Sequence, residues 1–499
     1  METISNIIGG VLTPSSSERS APVFNPATGE QSAVLPLSTA AELDAAVAAA
    51  KLALPEWANM PPLKRARFMF RFKELLDANT DRIAAAISAE HGKTHADAVG
   101  EVQRGIEVVE FCCGIPHLLK GEFSRHVGPA IDTHTDRQPL GVVAGITPFN
   151  FPAMIPLWKA APAIACGNAF ILKPSERDPG VPMRLAELFI EAGLPEGIFN
   201  VVNGDKEAVD AILDHPDIQA IGFVGSTPIA EYIYGRGCSN GKRVQCFGGA
   251  KNHMIIMPDA DMDQAVDALM GAGYGAAGER CMAISVAVPV GEKTADALME
   301  RRVPRVESLK IGPYTAGDDV DMGPLVTAAA RDRVKGLVDG GVAQGAELAV
   351  DGRGFTMQGY ENGFFVGGCL FDKVTTDMDI YKEEIFGPVL SVVRAKAYND
   401  AVDMTMTNPY GNGTAIFTRD GDAARDFCDR INVGMVGVNV PIPVPLAYYT
   451  FGGWKASGFG DLNQHGPDGF RFYTRTKTVT SRWPSGVKEG AEFSIPTMK

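Results

Sequence analysis

Ile218-Gln219-Ala220-Ile221-Gly222-Phe223-Val224-Gly225-Ser226-Thr227-Pro228 reads as a strand that runs directly into a helix. Six of the first seven residues are apolar or small, and Gly225 opens a turn. Pro228 suits a first helical turn, and Ser226 or Thr227 suits its cap. A helix N-terminus with free N–H groups and a hydroxyl is an anion site. A βα turn of this kind is about as often plain structure, and a GxGxxG motif is missing from it.

The same texture extends in both directions. Strand candidates are Gly141–Thr147, Ala169–Lys173, Phe199–Val202, Ile218–Val224 and Val244–Phe247. Helical stretches near Pro156–Cys166, Val181–Ala192, Lys206–Asp214 and Pro228–Gly237 separate them. Such alternation marks a parallel, doubly wound α/β sheet. A second α/β pattern follows Lys251, with strands near His253–Met257, Val286–Val290 and Leu390–Arg394, so a boundary falls near residue 250. Towards the N-terminus, Thr39 and Glu42 form a capping box for a helix reaching about Leu54. Further helices are expected over about Leu63–Ala89 and Thr94–His117, the latter burying Val102, Ile106 and Val109. Thr474–Trp483 alternates like a terminal strand with nothing of its own to pair with, which points to a neighbouring subunit.

The chain has 499 residues, too many for one core. Its 45% hydrophobic and 21% charged content is that of a globular enzyme. A net charge of −14 argues against a nucleic-acid partner. Eight scattered cysteines without a CxxC pair or zinc spacing suggest reduced thiols, a cytoplasmic location and no metal. The N-terminus lacks the pattern of a signal peptide. The apolar stretch Ala153–Leu172 contains Lys159 and two prolines, and reads as buried core, not a membrane span.

Two further segments carry chemistry. In Phe170-Ile171-Leu172-Lys173-Pro174-Ser175-Glu176-Arg177, Lys173 and Glu176 follow a strand's carboxyl end, where open sheets place ligands and where they could bond ribose hydroxyls. In Gly275-Ala276-Ala277-Gly278-Glu279-Arg280-Cys281-Met282, small residues crowd one thiol, and Arg280 could lower its pKa and hold an anion. A lone cysteine is more often an inert core residue, a lysine–carboxylate pair more often a solvated loop.

Gly278-Glu279-Arg280-Cys281 resembles the cysteine signature of the aldehyde dehydrogenase superfamily. Thr147-Pro148-Phe149-Asn150-Phe151-Pro152, Leu172-Lys173-Pro174-Ser175-Glu176, Phe223-Val224-Gly225-Ser226-Thr227 and Glu384-Ile385-Phe386-Gly387-Pro388-Val389 resemble its other signatures, in order. The likeness runs from Phe24-Asn25-Pro26-Ala27-Thr28-Gly29-Glu30 to the last strand. A narrower resemblance, to the CoA-acylating methylmalonate-semialdehyde (malonate-semialdehyde) dehydrogenase branch, lies in Ile146–Pro156, Ala250-Lys251-Asn252-His253, Phe459-Gly460-Asp461-Leu462 and Arg471-Phe472-Tyr473-Thr474.

The resemblance implies an α/β, aldehyde dehydrogenase-like fold: a doubly wound NAD-binding domain, an α/β catalytic domain and a small β oligomerisation extension. It divides the chain into an NAD-binding domain (1–121 and 141–250), an oligomerisation segment (122–140), a catalytic domain (251–446), a return segment (447–469) and an oligomerisation strand and tail (470–499). It implies a homo-oligomer, a dimer or tetramer, with no membrane partner. Cys281 would attack the aldehyde, with the Asn150 amide and the Cys281 N–H as oxyanion donors. Cofactor contacts would come from Thr147, Phe149, Lys173, Glu176, Arg177, Gly225, Ser226, Gly248 and Glu384, with NAD favoured by Glu176. Arg104 and Arg280 would hold a substrate carboxylate.

One departure is informative. Hydrolytic members carry Glu-Leu-Gly-Gly-Lys, whose glutamate activates water. Here the segment is Phe247-Gly248-Gly249-Ala250-Lys251. Phenylalanine cannot take a proton, so the acyl group on Cys281 is expected to pass to coenzyme A. Oxidation of malonate or methylmalonate semialdehyde with decarboxylation would give acetyl-CoA or propionyl-CoA. Three other readings stay open: a hydrolytic dehydrogenase with Glu279 as substitute base and a free acid as product, a binding protein on the same scaffold, and a thiol hydrolase without redox chemistry.

Overall fold

The computed structural model describes residues 2–317 and 319–484, so the expected tail at 485–499 lies outside the described residues. All five strands expected between 141 and 247 form, as Val142–Ile146, Ala169–Lys173, Phe199–Val201, Ile218–Val224 and Arg243–Phe247. They pair in parallel. Their spatial order is Arg243–Phe247, Ile218–Val224, Val142–Ile146, Ala169–Lys173, Phe199–Val201. Antiparallel strands Gly458–Phe459 and Asn6–Ile8 flank the set. The chain leaves the central strand to one side and later returns to its other side at Ile218–Val224. This reversal opens a crevice beyond the carboxyl ends of Val142–Ile146, Ala169–Lys173 and Ile218–Val224. Right-handed crossovers put Met154–Ala165 and Gly180–Glu191 on one face, and Lys206–Asp214 and Thr227–Ser239 on the other.

A second sheet of seven strands follows. Its inner strand Asn252–Ile256 lies parallel to both the central strand Ile284–Pro289 and Gly413–Phe417. Each sheet carries its own apolar core. Gly248–Lys251 joins the last parallel strand of the first sheet to the inner strand Asn252–Ile256 of the second, so the chain passes from one core to the other there. Among the described residues no helix is long and apolar enough to cross a membrane. Ala153–Leu172 forms the buried helix Met154–Ala165 and most of the buried strand Ala169–Lys173.

Three expectations need correction. The helix expected over Leu63–Ala89 is two, Pro62–Ala78 and Thr80–His91. Asn79 breaks it: its amide donates to the Leu75 carbonyl at 2.8 Å, and its backbone leaves the helical region. The helix expected to reach His117 ends at Cys112, and Ile115–Leu118 forms a separate turn behind Gly114, with Pro116 at its start. The terminal strand, Thr474–Arg482, does have a partner in its own chain. It pairs antiparallel with Ile131–Pro139, which also pairs with Phe123–Gly128. The first helix keeps its capping box and runs through Pro55 to Asn59. The backbone N–H of Thr39 donates to the Glu42 carboxylate at 2.8 Å.

The return of the chain to the first sheet is pinned by one side chain. Arg243 Nη1 reaches the carbonyls of Arg471, Phe472 and Thr474 at 3.0, 2.7 and 2.7 Å. Arg243→Met should cost about 2 kcal/mol in urea unfolding, because three charge-assisted bonds to backbone carbonyls are lost. An unchanged midpoint would contradict this anchoring role.

Candidate active site

The backbone before Cys281 takes a rare course. The helix Met262–Tyr274 ends, and Ala276, Ala277 and Gly278 follow in the left-handed region with φ of 50°, 52° and 74°. Such a run is strained for alanine and persists only where the surroundings dictate it. A Cβ at Gly278 would lie 2.1 Å from the Gly387 carbonyl oxygen, and one at Gly275 would lie 2.6 Å from Arg280 Nη1. The small residues thus admit the Gly387 backbone and let the Arg280 guanidinium fold back.

Cys281 is then fixed from its carbonyl side. Its oxygen accepts from the amides of Asn252 and Asn412, both at 3.0 Å. The Asn150 amide donates to the Glu279 carbonyl at 3.1 Å, which places it beside the nucleophile loop. Lys93 and Glu101, fully buried, hold the Asn150 segment from behind. These four residues, Asn252, Asn412, Lys93 and Glu101, were not singled out in the sequence. Asn252 lies inside a quoted motif, but nothing local signals the others.

The crevice gathers the remaining candidates. Thr147 directly follows the central strand of the first sheet, and its hydroxyl is buried without a partner. Lys173 Nζ and Glu176 Oε2 pair at 3.2 Å beyond the adjacent strand. Ser226 caps the helix Thr227–Ser239 through its backbone conformation only, so its exposed hydroxyl is free. A Cβ on Gly248 would meet Thr227 Oγ1 at 2.7 Å. Phe149 packs between Arg177, 4.9 Å from its ring, and Phe386 at 5.8 Å. Glu384 accepts from the Ala250 N–H at 2.9 Å, and burial pushes its carboxyl up to about 7.

Cys281 opens on two spaces. One is a narrow cleft lined also by Glu384, Ala250 and Asn252. The other is a cavity of about 450 Å³ lined by Phe151, Met154, Trp158, Met282 and Phe451, and by both Arg104 and Arg280. Arg104 therefore does not sit on a solvated helix face. Its guanidinium is braced by Glu107 and the Pro445 carbonyl, each at 2.5 Å. Arg280 pairs with Asp97 at 2.6 Å.

Electrostatics correct one expectation. Arg280 does favour the Cys281 thiolate, but burial foremost and the nearby Glu384 outweigh it, and the thiol is pushed up to about 12. The thiol is therefore protonated at neutral pH in the protein alone. Glu279 is buried with Oε2 unpartnered, 3.9 Å from His91 Nε2. Burial pushes its carboxyl up to about 8. It lines neither space at Cys281. Phe247 is packed against Phe451 at 6.2 Å.

The aldehyde dehydrogenase family model matches residues 12–479. The chain belongs to the aldehyde dehydrogenase family. Its relatives within that family include the malonate-semialdehyde dehydrogenase of Pseudomonas aeruginosa, 61% identical over 100% of both chains. The mitochondrial acylating methylmalonate-semialdehyde dehydrogenase of Arabidopsis thaliana is 47% identical over 99% of this chain and 81% of its own. Among solved structures, a Sinorhizobium meliloti protein provisionally assigned as a methylmalonate-semialdehyde dehydrogenase, complexed with NAD, superposes with a TM-score of 0.96. It is 66% identical and covers 98% of this chain and 99% of its own.

Because the raised thiol pKa leaves little thiolate at pH 7, iodoacetamide should alkylate Cys281 slowly there in the cofactor-free dehydrogenase. The rate should climb with pH beyond 9, and Glu384→Gln should speed it at a given pH by removing a repelling charge. A rate that levels off below pH 8, or one that Glu384→Gln leaves unchanged, would contradict the electrostatic account.

Proposed function

We propose that this aldehyde dehydrogenase oxidises malonate semialdehyde or methylmalonate semialdehyde with NAD and passes the acyl group from Cys281 to coenzyme A, losing carbon dioxide on the way. The observation that carries the reading is the single cavity shared by the thiol of Cys281 and the guanidiniums of Arg104 and Arg280. Besides Asp97, which pairs with Arg280, and Glu101 and Gln103, its walls are mainly apolar, and it is several times larger than a three-carbon semialdehyde. Each arginine has five donors and uses only some on Glu107, Asp97 and backbone carbonyls, so donors remain for a substrate carboxylate.

The crevice suits a dinucleotide. The unpartnered Thr147 hydroxyl, the free Ser226 at a helix N-terminus and the glycine floor at Gly225 and Gly248 fit a phosphate-bearing ligand. Lys173 and Glu176 would take the adenosine ribose, Glu384 the nicotinamide ribose, and Phe149 and Arg177 would flank the ligand. Bound NAD supplies the hydride acceptor.

Cys281 acts as its thiolate, formed when the thiol proton passes to solvent. Its sulfur adds to the aldehyde carbon, and the carbonyl electrons move to oxygen. The second N–H of the Asn150 amide and the backbone N–H of Cys281 receive that oxyanion. Expulsion of hydride leaves a thioester on Cys281. The β-carboxylate, steered by Arg104 and Arg280, departs as carbon dioxide while its bonding electrons flow towards the thioester carbonyl. Protonation of that carbanion gives an acetyl or propionyl thioester. The thiolate of coenzyme A then adds to the same carbonyl and displaces the Cys281 thiolate.

Water is not helped to compete. Phe247 cannot accept a proton, and Glu279 is enclosed away from the thiol, with its carboxyl held neutral at pH 7. This disfavours the hydrolytic alternative. We also propose a homodimer or homotetramer, supported by the exposed three-stranded sheet around Ile131–Pro139. A cytoplasmic location is supported by eight free cysteines.

With malonate semialdehyde and NAD, a single burst of NADH is expected without coenzyme A and sustained turnover with it. Arg104→Met should raise KM for the semialdehyde about tenfold or more, since a bidentate carboxylate contact is worth about 1.5–3 kcal/mol. Steady turnover to a free acid without coenzyme A, or an unchanged KM, would overturn the respective parts.

A further inference from the structure

Behind the oxyanion-hole segment lies an ion pair that the chemistry above does not use. Lys93 Nζ and Glu101 Oε2 are 2.8 Å apart, and both side chains are fully buried. Burying two charges is costly unless geometry and further hydrogen bonds repay it. Here the further bonds all go to one short stretch of chain. Lys93 Nζ donates to the backbone carbonyl of Asn150 at 2.7 Å. The same ammonium lies 4.5 Å from the centre of the Phe151 ring. Glu101 Oε1 accepts from the backbone N–H groups of Ala153 and Met154 at 2.8 and 3.2 Å. The segment between the central strand and the helix Met154–Ala165 is thus gripped at both ends by one charge pair.

We propose that Lys93 and Glu101 are positioning residues that aim the Asn150 amide at the reacting oxygen. This rests on the assignment of Asn150 to the oxyanion hole. The physical need is clear. The segment Thr147–Ala153 contains two prolines and lies outside any helix or strand, so it has no ladder of its own to fix it. The Asn150 side chain has one amide bond to the Glu279 carbonyl, which leaves rotation about that contact unconstrained from the backbone side. Anchoring the Asn150 carbonyl fixes its peptide plane, and anchoring the N–H groups of Ala153 and Met154 fixes where the segment enters the helix. An oxyanion donor works only when held in place before charge develops, and an error of about 1 Å costs on the order of a hundredfold in rate. Glu101 also borders the cavity that holds Cys281.

The test combines burst kinetics of NADH formation, thiol alkylation and a double-mutant cycle, with NAD and malonate semialdehyde. Lys93→Met should slow the burst about tenfold to a hundredfold, with iodoacetamide alkylation of Cys281 within about twofold, since alkylation develops no oxyanion on a carbonyl. Lys93→Met in an Asn150→Ala background should add little to the loss from Asn150→Ala alone. Glu101→Gln, which keeps an acceptor for the two N–H groups but removes the charge facing Lys93, should show the same pattern more weakly. It decides the matter should Lys93→Met fail to fold. An unchanged burst rate, a parallel loss of alkylation, or full additivity with Asn150→Ala would overturn the proposal. If Asn150→Ala itself left the burst unchanged, the oxyanion assignment would fall instead.

Discussion

Two asparagine amides on one carbonyl hold Cys281, the proposed nucleophile, between the two sheets. Asn252 begins an inner strand of the second sheet, and Asn412 directly precedes its neighbour Gly413–Phe417. Both donate to the Cys281 oxygen. The peptide that carries the nucleophile is thereby tied to the rigid part of the catalytic sheet, although the residues before it run through three left-handed positions. Site groups on rigid elements are held more exactly than groups on free loops, and local strain survives where the surroundings over-determine it. Everything else converges on that point: Asn150 from the first sheet, Glu384 from the cleft, and the two arginines from the cavity wall.

This position between the sheets also explains the electrostatics. A thiol enclosed between two cores loses solvation and gains a carboxylate neighbour, so it rests in its neutral form. Such a thiol is protected from stray oxidation and alkylation until the site is filled. The same enclosure keeps the Glu279 carboxyl protonated at neutral pH and out of reach. Burial sets both protonation states, and with Phe247 it leaves the acyl group without a base to activate water.

Much of this was legible in the sequence. Long apolar strands and periodic helices gave the five parallel strands of the first sheet to within a residue or two, because buried parallel strands leave little ambiguity, but not its short antiparallel edge strands. Five ordered motifs identified the family and singled out Cys281 as the proposed nucleophile. What was hidden depended on distance in space. Asn79 ends a helix through a side-chain bond that competes with propensity. Thr474–Arg482 finds its partner more than three hundred residues upstream. Arg280 stands next to Cys281 in sequence, yet its effect is overruled by enclosure and by Glu384. Lys93 and Glu101 look like ordinary surface charges until the fold buries them against the Asn150 segment.

The central claim is that Cys281 holds an acyl group that water is not helped to remove. Intact-protein mass spectrometry after mixing with NAD and malonate semialdehyde, without coenzyme A, tests it directly. The account predicts a persistent acyl adduct mapped to Cys281, discharged on adding coenzyme A. Protein that remains unmodified while free acid accumulates would contradict it.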